Sequence, residues 1–256
     1  MTDRIAVLKG ITDSEDKIFL SSVCDKCDRC EKTQRAVYTR FLTPRQALMV
    51  KERFSWTDFR FFGGYEDAER VMVAFLPNEW EEAEFPLCAV KIKNVGKKEL
   101  GHRDYMGTIL SLGITRELVG DIVVTSEGAL VFVCAEIADF IMDNLTKVAS
   151  SGVRLTLCEN TDDIKVERSF KETSATVSSM RLDCVISAAL GKSRSVGAEY
   201  ISQGMVNVNY DEEKSVSRTV KDGDVISVRG FGKMIIDTDL YLTKKGRIHI
   251  NIRKYI

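Results

Sequence analysis

The chain has 256 residues, enough for two or three compact domains, and its 44% hydrophobic and 29% charged content is that of an ordinary globular protein. No run approaches the ~18 consecutive apolar residues of a membrane span, and Met1-Thr2-Asp3-Arg4-Ile5 opens no apolar signal core. A cytoplasmic protein without a membrane partner is expected. The net charge of −1 conceals an asymmetry: residues 1–173 carry 24 basic against 29 acidic residues, whereas residues 174–256 carry 13 against 9. A basic end on an acidic body can steer a chain onto polyanions, although a solvated charged face gives the same count.

The first region reads as mainly helical. From Leu20 the apolar positions Val23, Cys24 and Cys27 recur at i+3, i+4 and i+7, one face of a helix. Thr43-Pro44 is a cap followed by proline at the first helical position, opening a helix to about Arg53. Val71 to Leu76 reads as a strand closed by Pro77. Cys24-x-x-Cys27-x-x-Cys30 is the one spacing that suggests a metal. On a helix, however, Cys24 and Cys30 lie about 9 Å apart along the axis, too far for thiolates sharing zinc at ~2.3 Å. Buried reduced thiols are expected, with neither metal nor disulfide, and His102 and His249 are remote in sequence.

The middle region alternates element types. A strand at Leu87 to Lys93 precedes a helix near Gly101 to Leu112. A hairpin follows, Asp121 to Val124 and Ala129 to Val133, turning at Ser126-Glu127-Gly128. A second helix is expected over Ala135 to Ala149, then a strand at Val153 to Cys158. That β-α-β-β-α-β order is the split arrangement of ferredoxin-like and RNA-recognition folds, and it sets a fold without setting a role. Glu159 to Ser179 is polar and reads as strand ends plus a linker.

In the C-terminal region Leu182, Val185, Ile186, Ala189 and Leu190 form an amphipathic helix. Lys192-Ser193-Arg194-Ser195 opens a second one ending at Gly204. Short strands are expected at Val206 to Asn209, Val225 to Arg229 and Ile248 to Ile252. Helix starts expose unpaired N–H groups and partial positive charge, so cations there are locally unfavourable. Arg181 stands at one start, with Ser179 as a cap, and Lys192 and Arg194 stand at the next, with Ser193 as its cap. An anion joining them would relieve that cost, and the pattern reads as a phosphate cradle; solvated surface charges are the alternative.

Arg181-Leu182-Asp183, Ser193-Arg194-Ser195, Ile201, Gly204, Val206-Asn207-Val208-Asn209 and Asp222-Gly223-Asp224-Val225-Ile226 resemble the S-four RNA-binding domain, over about residues 178 to 230. The chain departs from it at Val196-Gly197, where a polar or basic residue and alanine are usual, and at Asn207, where a basic residue is common. Further blocks are similar to the bacterial YlmH family: Phe62-Gly63-Gly64-Tyr65, Gly101-His102-Arg103-Asp104-Tyr105-Met106-Gly107, Val228-Arg229-Gly230-Phe231-Gly232-Lys233 and Thr243-Lys244-Lys245-Gly246-Arg247. A non-catalytic, cofactor-free, monomeric protein that binds structured ribosomal and transfer RNA is expected, in line with the family resemblance. The resemblance implies action on a large ribosomal subunit obstructed by peptidyl-tRNA, in quality control of stalled chains.

The expected architecture is α+β: an N-terminal helical domain (1–77), a ferredoxin-like or RRM-like domain with linker (78–170) and an S-four-type domain (171–256). Expected RNA contacts are the cations Arg181, Lys192, Arg194, Arg229 and Lys233, the neutral donors and acceptors Ser193, Ser195, Gln203, Asn207 and Asn209, and, through the resemblance, Asp183. His102, Arg103 and Tyr105 are a candidate second contact; the alternative is a helix-start cluster tying Asp104 into the fold. His102-Arg103-Asp104 is also similar to the catalytic aspartate segment of pseudouridine synthases, but those place leucine between Arg and Asp. An RNA-modifying enzyme is therefore the alternative function. A kinase loop needs Asn five residues after its Asp, where this chain has Ile109.

Overall fold

The computed structural model describes all residues except 1, 79, 81, 162, 163, 165, 167–169, 243–245 and 256; of residues 239–242 only the backbone is described. The expected block at Thr243-Lys244-Lys245 therefore lies outside the described residues. The chain is α+β and divides into two compact units, Met1–Val166 and Glu167–Ile256. The sequence boundary drawn near residue 77 falls inside the first unit, and the one near residue 170 lies close to the division.

In the first unit a short helix α1 (Arg4–Leu8) precedes the 20-residue α2 (Ser14–Thr33). The carboxylate of Asp13 caps α2 by accepting the Asp16 N–H. Leu20, Val23, Cys24, Cys27 and Cys30 form its buried stripe, as the spacing requires. Burial pushes the Cys24 thiol up to about 11. Helix α3 (Pro44–Arg53) begins at a capping box in which Thr43 and Gln46 bond reciprocally. The helical reading of this region omitted a small sheet, β1 (Val37–Tyr38), β2 (Phe59–Phe62) and β3 (Met72–Phe75), in the order β1-β3-β2. Only β3 was legible, because β1 is two residues long and β2 has four, with a single alternation at Arg60.

The rest of the unit comprises β4 (Leu87–Asn94), α4 (His102–Ser111), β5 (Val119–Thr125), β6 (Gly128–Cys134), α5 (Ala138–Asn144), β7 (Lys147–Val148) and β8 (Ser151–Cys158). Its five strands lie in the antiparallel order β5-β6-β4-β8-β7. The second helix is shorter than expected. Its first residues form a 3-10 turn, Ala135–Ile137, and the chain leaves the helix at Leu145 to make the hairpin of β7 with β8. The sheet is covered on one face by α4 and α5, where Val90, Ile92, Val131, Tyr105, Ile109 and Ile141 meet. Part of the opposite face is covered too: Leu87, Ala89, Phe132 and Cys134 pack against Phe41, Tyr65 and Met72 from the first 77 residues.

The second unit starts where a linker was expected. Residues Phe170–Val177 form strand β9, paired along its whole length with the last strand. Polar residues dominate it because it is a sheet edge. Helices α6 (Leu182–Leu190) and α7 (Arg194–Ser202) follow, then β10 (Val206–Val208), β11 (Asp211–Glu212), β12 (Asp224–Val228), β13 (Gly232–Leu242) and β14 (Ile248–Tyr255). They make one sheet in the order β11-β10-β12-β13-β14-β9. Leu182, Val185 and Ile186 of α6 and Ile201 of α7 share a core with Val206, Ile226, Ile236 and Ile250 of the sheet. The eleven-residue β13 was not anticipated, since the polar run Asp237-Thr238-Asp239 interrupts its apolar residues.

Candidate nucleic-acid interface

The two helix starts of the second unit meet. The Asp183 carboxylate is buried, with 6% of its side chain exposed, and both arginines close on it. Arg181 donates from Nε to Oδ1 at 3.2 Å and from Nη2 to Oδ2 at 3.0 Å. Arg194 reaches Oδ2 from Nε at 3.0 Å and from Nη2 at 2.9 Å. The Cys184 backbone N–H donates to Oδ1 at 2.9 Å, so Asp183 also caps the first turn of α6. Ser179 does not act as that cap; its hydroxyl lies 3.7 Å from the Cys184 sulfur, and Arg181 itself holds the cap position. Burial alone would raise the Asp183 pKa. The hydrogen bonds from Arg181 and Arg194 outweigh it and hold the group below the ordinary carboxylate range, while Arg181 is raised in return.

This geometry corrects one step of the sequence argument. Cations at two helix starts were expected to need an external anion, but the anion is internal. What remains is an excess: two guanidinium groups face one carboxylate, and their side chains are 38% and 55% exposed. The pair is preorganised, with one uncompensated positive charge at the surface.

Helix α7 can approach this closely because of Gly197. A Cβ there would lie 3.0 Å from the Asp183 carbonyl oxygen and 3.4 Å from the Ser187 nitrogen. The glycine that departs from the S-four pattern is thus the close contact between α6 and α7. Ser193 caps α7 by accepting from the Val196 N–H at 3.4 Å, and its hydroxyl lies 2.9 Å from that of Ser195. Both serines and Lys192 are exposed.

The remaining candidates separate. Asn207, Arg229 and Lys233 line one groove of about 410 Å³ with Gly204, Ser227 and Gly230, at the far end of α7 from Arg194. Arg229 is exposed, and Lys233 sits 4.2 Å from the centre of the Tyr255 ring. Asn209 is not available to a ligand in the expected way. Its amide donates to Asp224 Oδ1 at 2.8 Å and accepts from the Val225 N–H at 3.0 Å, locking a turn in which its own φ is +51°. Gln203, exposed at the end of α7, donates to Glu199 at 2.9 Å.

In the first unit, Tyr105 is 1% exposed and belongs to the core, so it cannot stack on a base. His102 and Arg103 are exposed at the start of α4. Asp104 accepts the Gly101 N–H at 2.8 Å, closing the helix start as the structural alternative required. The cysteine stripe has inward partners: the Cys30 thiol lies 3.3 Å from the Phe75 carbonyl oxygen.

Sequence reasoning overlooked one group. On β4, Lys91 and Lys93 alternate with the buried Val90 and Ile92. Register sets Lys91 opposite Thr156 and Lys93 opposite Arg154 on β8, and Lys147 on β7 opposite Gly152. All four cations therefore share the sheet face away from α4 and α5, and all four are exposed. The alternation within β4 was a readable signal; the cross-strand register was not.

Comparison with known proteins agrees with the fold. Residues 80–162 match the family described as "Putative RNA-binding domain in YlmH". The chain is 27% identical over 251 residues to the Bacillus subtilis (strain 168) protein named "Ribosome-associated protein quality control protein P2", covering 94% of this chain and 95% of that one. Among solved structures, "Cell division protein ylmH from Streptococcus pneumoniae" superposes with a TM-score of 0.50 at 23% identity. It covers 57% of this chain and 93% of that one, a likeness of fold. Among the described residues no helix is long and apolar enough to cross a membrane.

Proposed function

We propose that this YlmH-type chain is a non-catalytic, monomeric RNA-binding protein of the cytoplasm that recognises structured ribosomal and transfer RNA. Its place of action in this reading is the large ribosomal subunit carrying peptidyl-tRNA, in ribosome-associated quality control. The match to an RNA-binding domain and the name of the Bacillus relative support the coarser part. The observation that carries the reading is the pair of surface arginines, Arg181 and Arg194, drawn together on one buried carboxylate. A guanidinium has five donors in a fixed fork. Anchoring on Asp183 fixes the plane of each fork and leaves further N–H groups for phosphate oxygens.

Double-helical RNA presents phosphates, shape and 2′-hydroxyls far more readily than base edges, so this cluster, an S-four-type module in our reading, recognises a folded surface. The Arg229 groove at the opposite end of α7 adds a second phosphate contact on the same unit. Arg194→Ala is expected to weaken binding to ribosomal RNA about tenfold and to reduce the magnitude of the salt slope by about one unit. Filter binding over a salt series measures both. An unchanged slope removes Arg194 from the interface.

A further inference from the structure

We propose that the open half of the first unit's five-stranded sheet is a separate binding site for the sugar–phosphate backbone of RNA, held by Lys91, Lys93, Lys147 and Arg154. The inference rests on the RNA-binding reading and adds a surface to it that is independent of the helix starts of the second unit.

The site follows from how the sheet is covered. Of its two faces, one is closed by α4 and α5. The other is divided. Towards Leu87 and Ala89 it is sealed, Phe132 lying under Tyr65 with ring centres 5.0 Å apart. That half cannot stack bases. Further along the same strands, beyond Ala89, side chains on this face become cationic and exposed: Lys91 and Lys93 on β4, Arg154 on β8 and Lys147 on β7. Successive same-face residues on a strand are about 7 Å apart and neighbouring strands about 5 Å. The four cations thus form a compact field on a rigid support rather than a run along a flexible loop.

The charge of this field is nearly uncompensated. Glu127, in the β5–β6 turn, lies 3.5 Å from Lys93, both side chains being more than half exposed. Among the described residues Lys91, Lys147 and Arg154 have no ionic partner. In the second unit, by contrast, Arg181 and Arg194 face Asp183, Arg218 faces Glu213 and Arg253 faces Asp237. Like charges set across adjacent strands repel. Such a cluster is locally unfavourable until an anion covers it. A polyanion whose charges recur every few ångströms is the occupant that matches this spacing, and backbone phosphate of duplex RNA has that character. The exposed Thr156, opposite Lys91, adds a hydroxyl donor of the kind used on phosphate oxygens.

Exposed, unpaired cations can be removed with little effect on folding, which makes the test direct. Binding of the full chain to a labelled RNA hairpin with a stem of about 16 base pairs is measured by fluorescence anisotropy at several salt concentrations. K91Q/R154Q is expected to weaken binding about tenfold and to lower the magnitude of the salt slope by about two units. E127Q, which releases Lys93, is expected to tighten binding about twofold. If K91Q/R154Q binds like the unaltered chain while R194A is weakened, this site is wrong and the RNA-binding reading stands. If the unaltered chain fails to bind the hairpin, both are wrong. Equal loss of affinity for poly-glutamate and for RNA would instead assign the patch to an acidic protein partner, and would overturn it as an RNA site.

Discussion

Each unit of the chain holds an aspartate beside two arginines, and the two arrangements do opposite work. In the first, Asp121 accepts from the Tyr65 hydroxyl and the Glu69 N–H, both at 2.7 Å, and from the Arg70 N–H at 3.1 Å. Arg70, 8% exposed, turns its guanidinium to backbone carbonyls instead: Nε to Val119 at 2.9 Å, Nη2 to Arg116 at 3.0 Å and to Phe41 at 3.2 Å. Burial, with the neighbouring Arg116 charge, lowers the Arg70 pKa to about 10. In the second, Asp183 is the buried member and the arginines are at the surface. A buried arginine facing carbonyls is a joint between segments; a surface arginine anchored by a buried carboxylate is a tool held ready. The contrast shows that residue types alone do not assign a role: the side on which the guanidinium meets water does.

The largest effect is expected at Arg70. Arg70→Leu removes all three carbonyl contacts that tie residues 41, 116 and 119 together, and is expected to cost about 3–5 kcal/mol of stability in urea denaturation. RNA affinity of the remaining folded fraction should be unchanged, and a selective loss of affinity would mean that Arg70 is no mere joint. Asp183→Asn should cost less, about 2 kcal/mol, because Asn retains an acceptor. It should also change the pH profile. Since the folded pKa of Asp183 is lowered, its contribution is complete above the unfolded carboxylate range near 4 and disappears as pH falls through the lower folded value. Below about pH 4 the unaltered chain should therefore lose stability more steeply than the variant, as followed by thermal melts. The smallest effect is expected from Tyr65→Phe, which removes one hydrogen bond to Asp121 for about 1 kcal/mol and leaves RNA binding untouched.

Sequence periodicity was informative wherever a helix had one buried stripe. The faces of α2 and α6 and the capped start of α3 were all readable, because 3.6-residue spacing and Thr43-Pro44 are local signals. The split β-α-β order of the middle region was readable for the same reason. What escaped was non-local. Strand β9 is polar because it is an edge, and β13 becomes a strand only through its partners β12 and β14. At the site, Arg181 and Arg194 were identified from helix-start chemistry. That their anion would be Asp183 was not, since an aspartate two residues from an arginine is common and burial cannot be seen in spacing. Tyr105 and Asn209 were misread for the converse reason: both residue types suit RNA, and only the packing reveals that each is occupied within the fold.

The thiol stripe of α2 has a practical corollary. Six of the seven cysteines are buried, five of them in the first unit, and Cys184 is the described thiol of the second. Shielded by burial, which also pushes the Cys134 thiol up to about 12, they should resist alkylation until the structure around them opens. Brief exposure to iodoacetamide during unfolding, followed by peptide mass mapping, would then record separately when each unit comes apart, with no label added to the chain.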